Sequence, residues 1–572
     1  MSTTAESVTP LQRVTRLLPT RADLDAMRTN PRRDLLAGLM VALVALPLAL
    51  GFGISSGAGA AAGIATAIIA GLVAAVFGGS NLQVSGPTGA MTVVLVPIVA
   101  TYGVPSVLVV GVLAGLLLVV LALAGAGRVM RYVPVPVIEG FTIGIALIIG
   151  LQQVPGALGV HVKADGVIAT AVKSVQEWFK HPHWAPVLIA LAVAASILLL
   201  ACIRPGIPVA LPAIIVVTLF NLWMHLGAEQ IGKIPAGLPA PSLPDLAPST
   251  VKQLVIPAIA VAALAALESL MSASAADAMT VGQRHDSDRE LFGQGLANIA
   301  APLFGGVPAT GAIARTAVNV KTGAHSRLAA ITHSLLLLAV VLVAGGLVGK
   351  IPLAALAGVL IATAVSMVSV SSVRTLMRAT KQDAAVLAIT AIATVALDLV
   401  EAVIIGMIVA GGLALKQVAA SAAVSTEDVA TLADSPADDM EREHLLDEHI
   451  VVYRLEGPLF FAAAHDFLLE LTRVSDVRVV VLRMAHLTAI DATGAATLAD
   501  VITRLERRGI TVMLSGVRPE HAAILQGLGV YDTIAHERHI FATTPEAIAH
   551  ARVHASRVPH DPGSAEVSRA LR

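Results

Sequence analysis

Two short stretches of small and hydroxyl-bearing residues interrupt otherwise apolar sequence. One is Ser85-Gly86-Pro87-Thr88-Gly89-Ala90; the other is Pro308-Ala309-Thr310-Gly311-Ala312-Ile313-Ala314-Arg315-Thr316. Each follows a Phe-Gly-Gly, at Phe77 and at Phe304. Non-helical backbone at bilayer depth is tolerated only where protein buries it or where it lines a cavity. A matched pair of Gly/Pro-interrupted segments points to a transporter's substrate site. Each stretch is expected to run into a half-helix, starting near Thr88 and near Thr310. Two facing helix N-termini offer unpaired N–H donors and about half a positive charge each. That is enough to attract an anion without a dedicated cation. Ser85, Thr88 and Thr310 would add hydroxyls, and Gly89, Ala90, Gly311 and Ala312 the backbone around them. Arg315 would add a full positive charge one turn into the second half-helix. The remaining candidate is Glu268, mid-way along an apolar run. An ionisable residue at the bilayer centre costs about 2.5–3.5 kcal/mol on insertion scales, so it needs a function. Protonation removes its charge, which suits proton coupling; an ion pair with Arg315 is the structural alternative, and one pair can serve both roles.

The elements that must position these residues follow from composition. Of 572 residues, 56% are hydrophobic and only 13% charged, far too apolar for a soluble globular chain. Aromatics are scarce, so the apolar mass is Ala, Val, Leu, Ile and Gly, residues that allow transmembrane helices to approach closely. Charges are sparse up to about residue 420 and dense beyond it. The reading is a polar N-terminal segment, 1–33, without a signal-type apolar core; a transmembrane domain, 34–420; a polar, acidic linker, 421–447; a soluble domain, 448–553; and a tail, 554–572. About 14 spanning or half-spanning segments are expected. Basic residues in the loops, among them Arg32, Arg33, Arg128, Arg131 and Arg204, fall on one side, which the positive-inside rule makes cytoplasmic. Both termini are then cytoplasmic. The two motifs divide the domain into halves, about 34–226 and 251–417. Seven segments per half is odd, so the halves insert with opposite orientation, as an inverted repeat. Thr88 follows Pro47 by 41 residues and Thr310 follows Glu268 by 42, which places Glu268 at the counterpart of Pro47.

Past residue 448 the pattern turns to strands alternating with helices, including the buried strand Val477–Arg483 and the amphipathic helix Thr493–Arg507. This indicates a small α/β domain. Several classes are excluded. The one cysteine, Cys202, rules out an intrachain disulfide and a Cys-based metal site. The His181-Pro182-His183 pair lies in a single external loop without partners, so no metal and no cofactor is expected. A net charge near zero argues against nucleic acid. No nucleophile–base constellation and no nucleotide-binding glycine motif is present, so the chain is not read as an enzyme.

At Asp34–Phe52, Phe77–Thr92, Pro134–Gly144, Glu268–Thr280 and Phe304–Asn319 the chain resembles the SulP (sulfate permease) anion transporters, bacterial relatives of the prestin and pendrin group. Its C-terminal domain resembles the STAS domain, with the signature Ile490-Asp491-Ala492-Thr493-Gly494. The resemblance implies a polytopic α-helical fold with a 7+7 inverted repeat, divided into core and gate domains. It also implies a homodimer, an elevator-type movement, and a bacterial cytoplasmic membrane location. The anion would sit between the third and tenth segments, at Ser85–Ala90 and Thr310–Arg315, with Phe52 and Ser272 as secondary candidates. Substrates across the family include sulfate, bicarbonate, chloride and dicarboxylates. Sodium-coupled bicarbonate members use an Asp and a Thr on segment eight and a Thr on segment ten; here Glu268, Ser272 and Ile313 stand there. Ile313 offers no side-chain oxygen to sodium, and Glu in place of Asp favours proton coupling. Anion exchange or sodium-coupled bicarbonate transport is the alternative within the fold. A signalling protein with STAS as output, a nucleobase-type permease, and an unidentified STAS-binding partner are the other readings. Thr493 holds the position that is phosphorylated in single-domain STAS antagonists, or it is simply a helix N-cap.

Overall fold

A computed structural model describes residues 16–127, 133–162, 164, 166–203, 208–235, 237–243, 248–280, 283–397, 399–420, 423–426, 449–459, 477–534 and 539–557. Arg128, Arg131 and Arg204, nearly all of the linker and most of the C-terminal tail lie outside these residues. The chain forms two compact units, one up to Ala410 and the other from Gly411 onward.

The first unit is helical. A short amphipathic helix, α1 (Arg21–Thr29), precedes α2 (Pro31–Ser55), α3 (Ala60–Phe77), the two-residue strand β1 (Ser85–Gly86), α4 (Gly89–Tyr102) and α5 (Val104–Leu123). Then come α6 (Val135–Gln152), α7 (Val154–Leu158), α8 (Val167–Lys180), α9 (Trp184–Ile203) and α10 (Ala210–Met224). The second half comprises α11 (Pro248–Ala278), α12 (Ser287–Leu303), β2 (Thr310–Gly311), α13 (Ile313–Lys321), α14 (Leu328–Val348), α15 (Leu353–Met367), α16 (Val370–Ala379), α17 (Lys381–Ala396) and α18 (Leu399–Ala420). Among the described residues, eight helical stretches are long and apolar enough to cross a bilayer on their own. The short α4 and α13 reach bilayer depth only together with their strands.

The packing carries the repeat. If α2, α3, β1–α4, α5, α6, α9 and α10 correspond to α11, α12, β2–α13, α14, α15, α17 and α18, the main contacts pair up. The contact of α5 with α12 is matched by that of α14 with α3, α11 with α5 by α2 with α14, and α6 with α17 by α15 with α9. The chain is therefore a 7+7 inverted repeat. One group comprises α2–α5 and α11–α14, built around a contact of alanines (Ala70, Ala74, Ala297, Ala301 and Ala309) that brings α3 and α12 close. The other comprises α6, α9, α10, α15, α17 and α18. These are the core and gate of the fold. They meet through α2 with α15 and α10, and through α4 with α6. The repeat-related pairs, α11 with α6 and α13 with α15, barely touch.

The second unit is a mixed sheet of order β3 (Ala423–Thr426), β4 (Ile450–Leu459), β5 (Val479–Arg483), β7 (Thr511–Ser515) and β8 (Ile540–Phe541), with β6 (Leu487–Ile490) also pairing β4. Only β3 runs antiparallel to its neighbour. Helix α19 (Ala492–Arg507) covers one face through Leu498, Val501, Ile502 and Leu505, and α20 (Pro519–Gly527) follows β7 on that side. Helix α21 (Thr544–Arg557) covers the other face through Ala547, Ile548, Ala551 and Ala555. Buried on both faces, β5 reads as an unbroken Val-Val-Val-Leu run, as parallel central strands do.

Candidate functional site

The two interrupted stretches meet. Strands β1 and β2 pair antiparallel, with Ser85 opposite Gly311 and Gly86 opposite Thr310, and the Ala312 N–H extends the ladder to Val84 O at 2.9 Å. Four residues of backbone at mid-membrane thereby satisfy one another. Further polar groups on and beside the ribbon are met by side chains from the surrounding helices. Ser269 Oγ accepts from Gly311 N–H at 2.9 Å, Thr316 Oγ1 from Val84 N–H at 3.1 Å, and Gln294 Nε2 donates to Ser85 Oγ at 2.6 Å. Asn298, one turn beyond Gln294 on α12, exchanges both amide bonds with the Ala309 backbone. Pairing irregular backbone in this way is what bilayer depth demands.

Helix α4 begins as expected, with Thr88 as N-cap and its hydroxyl 3.4 Å from the Met91 N–H it caps. Helix α13 starts later than expected. Its N-cap is Ala312, and Thr310 lies in the strand, because the ribbon holds Thr310 and Gly311 extended. Ala312 brings no side-chain cap. Ile313 is 37% exposed and, with the exposed Ala314, forms the open end of this helix.

Glu268, partly exposed on α11, sits at the centre. Its Oε2 accepts from Thr88 Oγ1 at 2.8 Å and from Thr310 Oγ1 at 2.7 Å, and the two hydroxyl oxygens are 3.0 Å apart. One carboxylate oxygen thus takes one hydroxyl from each repeat. The pairing with Arg315 considered from sequence is not formed. Arg315, 1% exposed, turns its Nη2 to Pro87 O at 2.6 Å. Gly86 is required there, since a Cβ on it would stand 2.6 Å from Arg315 Nη1. Gly89 is equally constrained: a Cβ would lie 2.2 Å from Ile149 Cδ1 on the gate helix α6 and 3.2 Å from the Phe52 ring. Phe52 and Ala90 are buried beside it. Ser272 Oγ lies 3.1 Å from Thr316 Oγ1, one turn below Glu268 and away from the hydroxyl pair.

Motif reasoning finds Ser85, Thr88, Glu268, Thr310 and Arg315, and the fold brings all five to one ribbon. It misses Thr66, Ser269, Gln294, Asn298 and Asn319, which hold that ribbon in place. A signal was present: amide and hydroxyl side chains at one-turn spacing in Ala- and Gly-rich helices have few roles other than meeting irregular backbone.

The sequence matches the sulfate permease family over residues 32–390 and the STAS domain over residues 444–547. The chain belongs to the sulfate permease family. This permease is 34% identical over 521 residues to the putative sulfate transporter YvdB of Bacillus subtilis, across 89% of this chain and 96% of that one. It is 29% identical over 515 residues to the bicarbonate transporter BicA of Synechocystis, across 88% and 91% of the two chains. The solved transmembrane domain of a cyanobacterial BicA superposes with a TM-score of 0.59 at 31% identity, covering 68% of this permease and 98% of that domain. Murine solute carrier 26 family member A9, an anion transporter solved in the inward-facing state, superposes with a TM-score of 0.82 over 96% of both chains at 18% identity. The permease therefore has the solute carrier 26 fold followed by a STAS domain, and is a multi-pass membrane transporter rather than an enzyme.

In the STAS domain the capping reading of Thr493 is corrected. Asp491 is the N-cap of α19, its Oδ1 accepting from Gly494 N–H at 2.7 Å. Thr493 is exposed in the first helical turn.

Proposed function

We propose that this permease carries a small oxyanion together with a proton, and that Glu268 couples the two by competing with the anion for the hydroxyls of Thr88 and Thr310. The observation that carries the reading is the pair of hydroxyl bonds converging on one Glu268 oxygen. A hydroxyl has one proton to donate. While Glu268 is ionised it holds both donors and places a negative charge beside the helix N-termini of α4 and α13. Once protonated it loses the charge and can release them. An anion oxygen then takes the hydroxyls, with the backbone of Gly89, Ala90, Gly311 and Ala312 and the hydroxyl of Ser85 at the rim. Arg315 acts on the anion through its field and by holding Pro87, not by direct contact in this conformation. Ser272 would act only through Thr316, and Phe52 would wall the site beside Gly89.

The substrate class rests on the relatives, since sulfate and bicarbonate are both small oxyanions. The movement rests on the repeat. An inverted repeat generates its second state by exchanging the roles of its halves. The gate touches the core through α2 and α4 and barely through their counterparts α11 and α13, so a rigid shift that swaps these contacts would carry the ribbon across the membrane as an elevator. With the basic loops cytoplasmic, both termini lie inside, in a bacterial cytoplasmic membrane. The division at 34–420 and 448–553, a homodimer, a protein partner for the STAS domain and a regulatory role for the exposed Thr493 belong to the same reading and rest on the family resemblance.

Reconstituted uptake tests it. Radiolabelled sulfate, bicarbonate, chloride and fumarate are offered to proteoliposomes with an inward proton gradient, an inward sodium gradient, or internal chloride. Accumulation of one oxyanion driven by protons alone is the expected result. Accumulation that needs sodium, or that needs a counter-anion and ignores pH, replaces symport with one of the alternative modes.

A further inference from the structure

We infer that the STAS domain carries a three-histidine site for a divalent transition-metal ion of the zinc type, formed by His539, His550 and His554. His550 and His554 are one turn apart on α21 and so share a face of that helix. His539 immediately precedes β8 and meets them. The ligand nitrogens of the three rings all lie within 4.8 Å of one another, and His539 Nε2 stands 3.3 Å from His554 Nε2. Two nitrogens bound to one tetrahedral ion at about 2.0–2.1 Å must be separated by roughly 3.3–3.4 Å. The pair already has that separation.

The rings fan around a common point instead of stacking. His539 and His554 meet at 90° with centroids 4.8 Å apart, His550 and His554 at 49° and 5.0 Å, and His539 and His550 at 58° and 5.7 Å. His539 is 4% exposed, while the other two are half-buried. The site is therefore anchored in the domain and open to solvent on one side. Three imidazoles, with no carboxylate in the cluster among the described residues, select a borderline ion such as Zn²⁺ over Ca²⁺ or Mg²⁺, which demand oxygen ligands. Three protein ligands leave a fourth tetrahedral position for water or for a side chain of another molecule. Small residues, mostly alanines, pack α21 against its sheet face. An ion would tie the end of that helix to the start of β8. No spacing motif announces the site, since the three histidines are spread over 16 residues and two elements.

The test uses the full-length, tag-free protein in detergent or nanodiscs, stripped with a chelator. Zn²⁺ is titrated against a chromophoric competitor, and bound metal is counted by mass spectrometry. Expected are one Zn²⁺ per chain, a tetrahedral Co²⁺ spectrum on substitution, and at least a tenfold loss of affinity in His550→Ala and in His554→Ala. His181→Ala with His183→Ala leaves binding unchanged. Because His550 is only half-buried, its alanine variant should keep the wild-type far-ultraviolet dichroism, which separates loss of a ligand from loss of fold. Failure to bind Zn²⁺ below millimolar concentration, an octahedral Co²⁺ spectrum, or equal affinity in the His550 and His554 variants would overturn the assignment.

Discussion

Replacing Glu268 by Gln removes one charge and little else, since the amide oxygen can still accept from Thr88 and Thr310. The size of the effect follows from the geometry. Both hydroxyl oxygens lie within 2.8 Å of Glu268 Oε2. An anion oxygen bound to those hydroxyls would be about 2.8 Å from each, and hence about 5 Å from the carboxylate. Two unit charges at that separation repel by about 3 kcal/mol at an effective dielectric constant near 20, a factor on the order of 100 in affinity. At alkaline pH, where wild-type Glu268 is ionised, the Gln variant should therefore bind the anion on the order of 100-fold more tightly than wild type. Towards acid pH the two should converge. The variant should still exchange labelled anion across proteoliposomes, because its site is intact, but a proton gradient should no longer drive accumulation. Isothermal titration across pH, with counterflow and gradient-driven uptake on the same preparation, reads all three. A Gln variant that accumulates anion on a proton gradient, or whose affinity keeps the wild-type pH dependence, refutes the competition between carboxylate and anion.

Other consequences can be read from single contacts. Gly89→Ala places a methyl against Ile149 and Phe52 and should cost about 1–3 kcal/mol by overpacking; a lower melting temperature in detergent, partly restored by adding Ile149→Val, is expected. Asp23 on α1 accepts from Arg289 Nη2 at 2.8 Å and Arg327 Nε at 3.2 Å, clamping the N-terminal helix to the starts of α12 and α14. Burial alone would raise its pKa, but the Arg289 hydrogen bond, the Thr20 N–H and the charge of Arg327 together lower it from 3.8 to about 2. A carboxylate held low contributes stability that is complete above pH 3.8 and is lost as pH falls through about 2. Melting should thus show no Asp23-dependent change between pH 5 and 8, whereas Asp23→Asn should cost about 2 kcal/mol throughout that range. In the STAS domain, Asp491→Ala should destabilise by about 1 kcal/mol through loss of the α19 cap. Thr493→Ala should leave the melting point within error, as neither substitution creates a cavity.

How much of this was legible depended on whether the signal was local. The Phe-Gly-Gly and Thr-Gly-Ala stretches announce themselves because glycine, proline and threonine are out of place in apolar sequence, and the family resemblance runs through the same residues. The seven-plus-seven count was legible because apolar runs recur along the domain and the two motifs divide them into halves. The start of α13 was not. Thr310 looks like a cap, yet the strand pairing with Gly86 overrides that local preference. The partner of Arg315 was hidden for a related reason. Sequence brings two opposite charges to mind as a pair, whereas the fold offers the guanidinium a backbone carbonyl at Pro87 and the carboxylate two hydroxyls. Asp491 and Thr493 are both plausible caps by residue type, and only the backbone geometry decides between them.

The asymmetry at the ribbon constrains mechanism more tightly than the symmetry does. Each repeat supplies one threonine to Glu268, yet the carboxylate itself belongs to the second repeat alone; spacing puts Pro47 at its counterpart in the first. A proline and an acid cannot exchange roles when the halves exchange conformations. Under the proposed symport the core shifts as one body, and the proton is taken and released at the same residue on both sides of the membrane. Coupling then requires that Glu268 stay with the two threonines throughout the movement. This is what their bonding predicts, since α11, β1–α4 and β2 all lie within the core and no hydrogen bond from Glu268 reaches the gate among the described residues. Cross-linking a cysteine at Ser272 to one at Thr316, both inside the core, should leave transport intact. A cross-link between cysteines at Gly89 and Ile149, which joins core to gate, should arrest it. If the first also stops transport while binding survives, the core does not move as a unit, and the proton must change partners on the way.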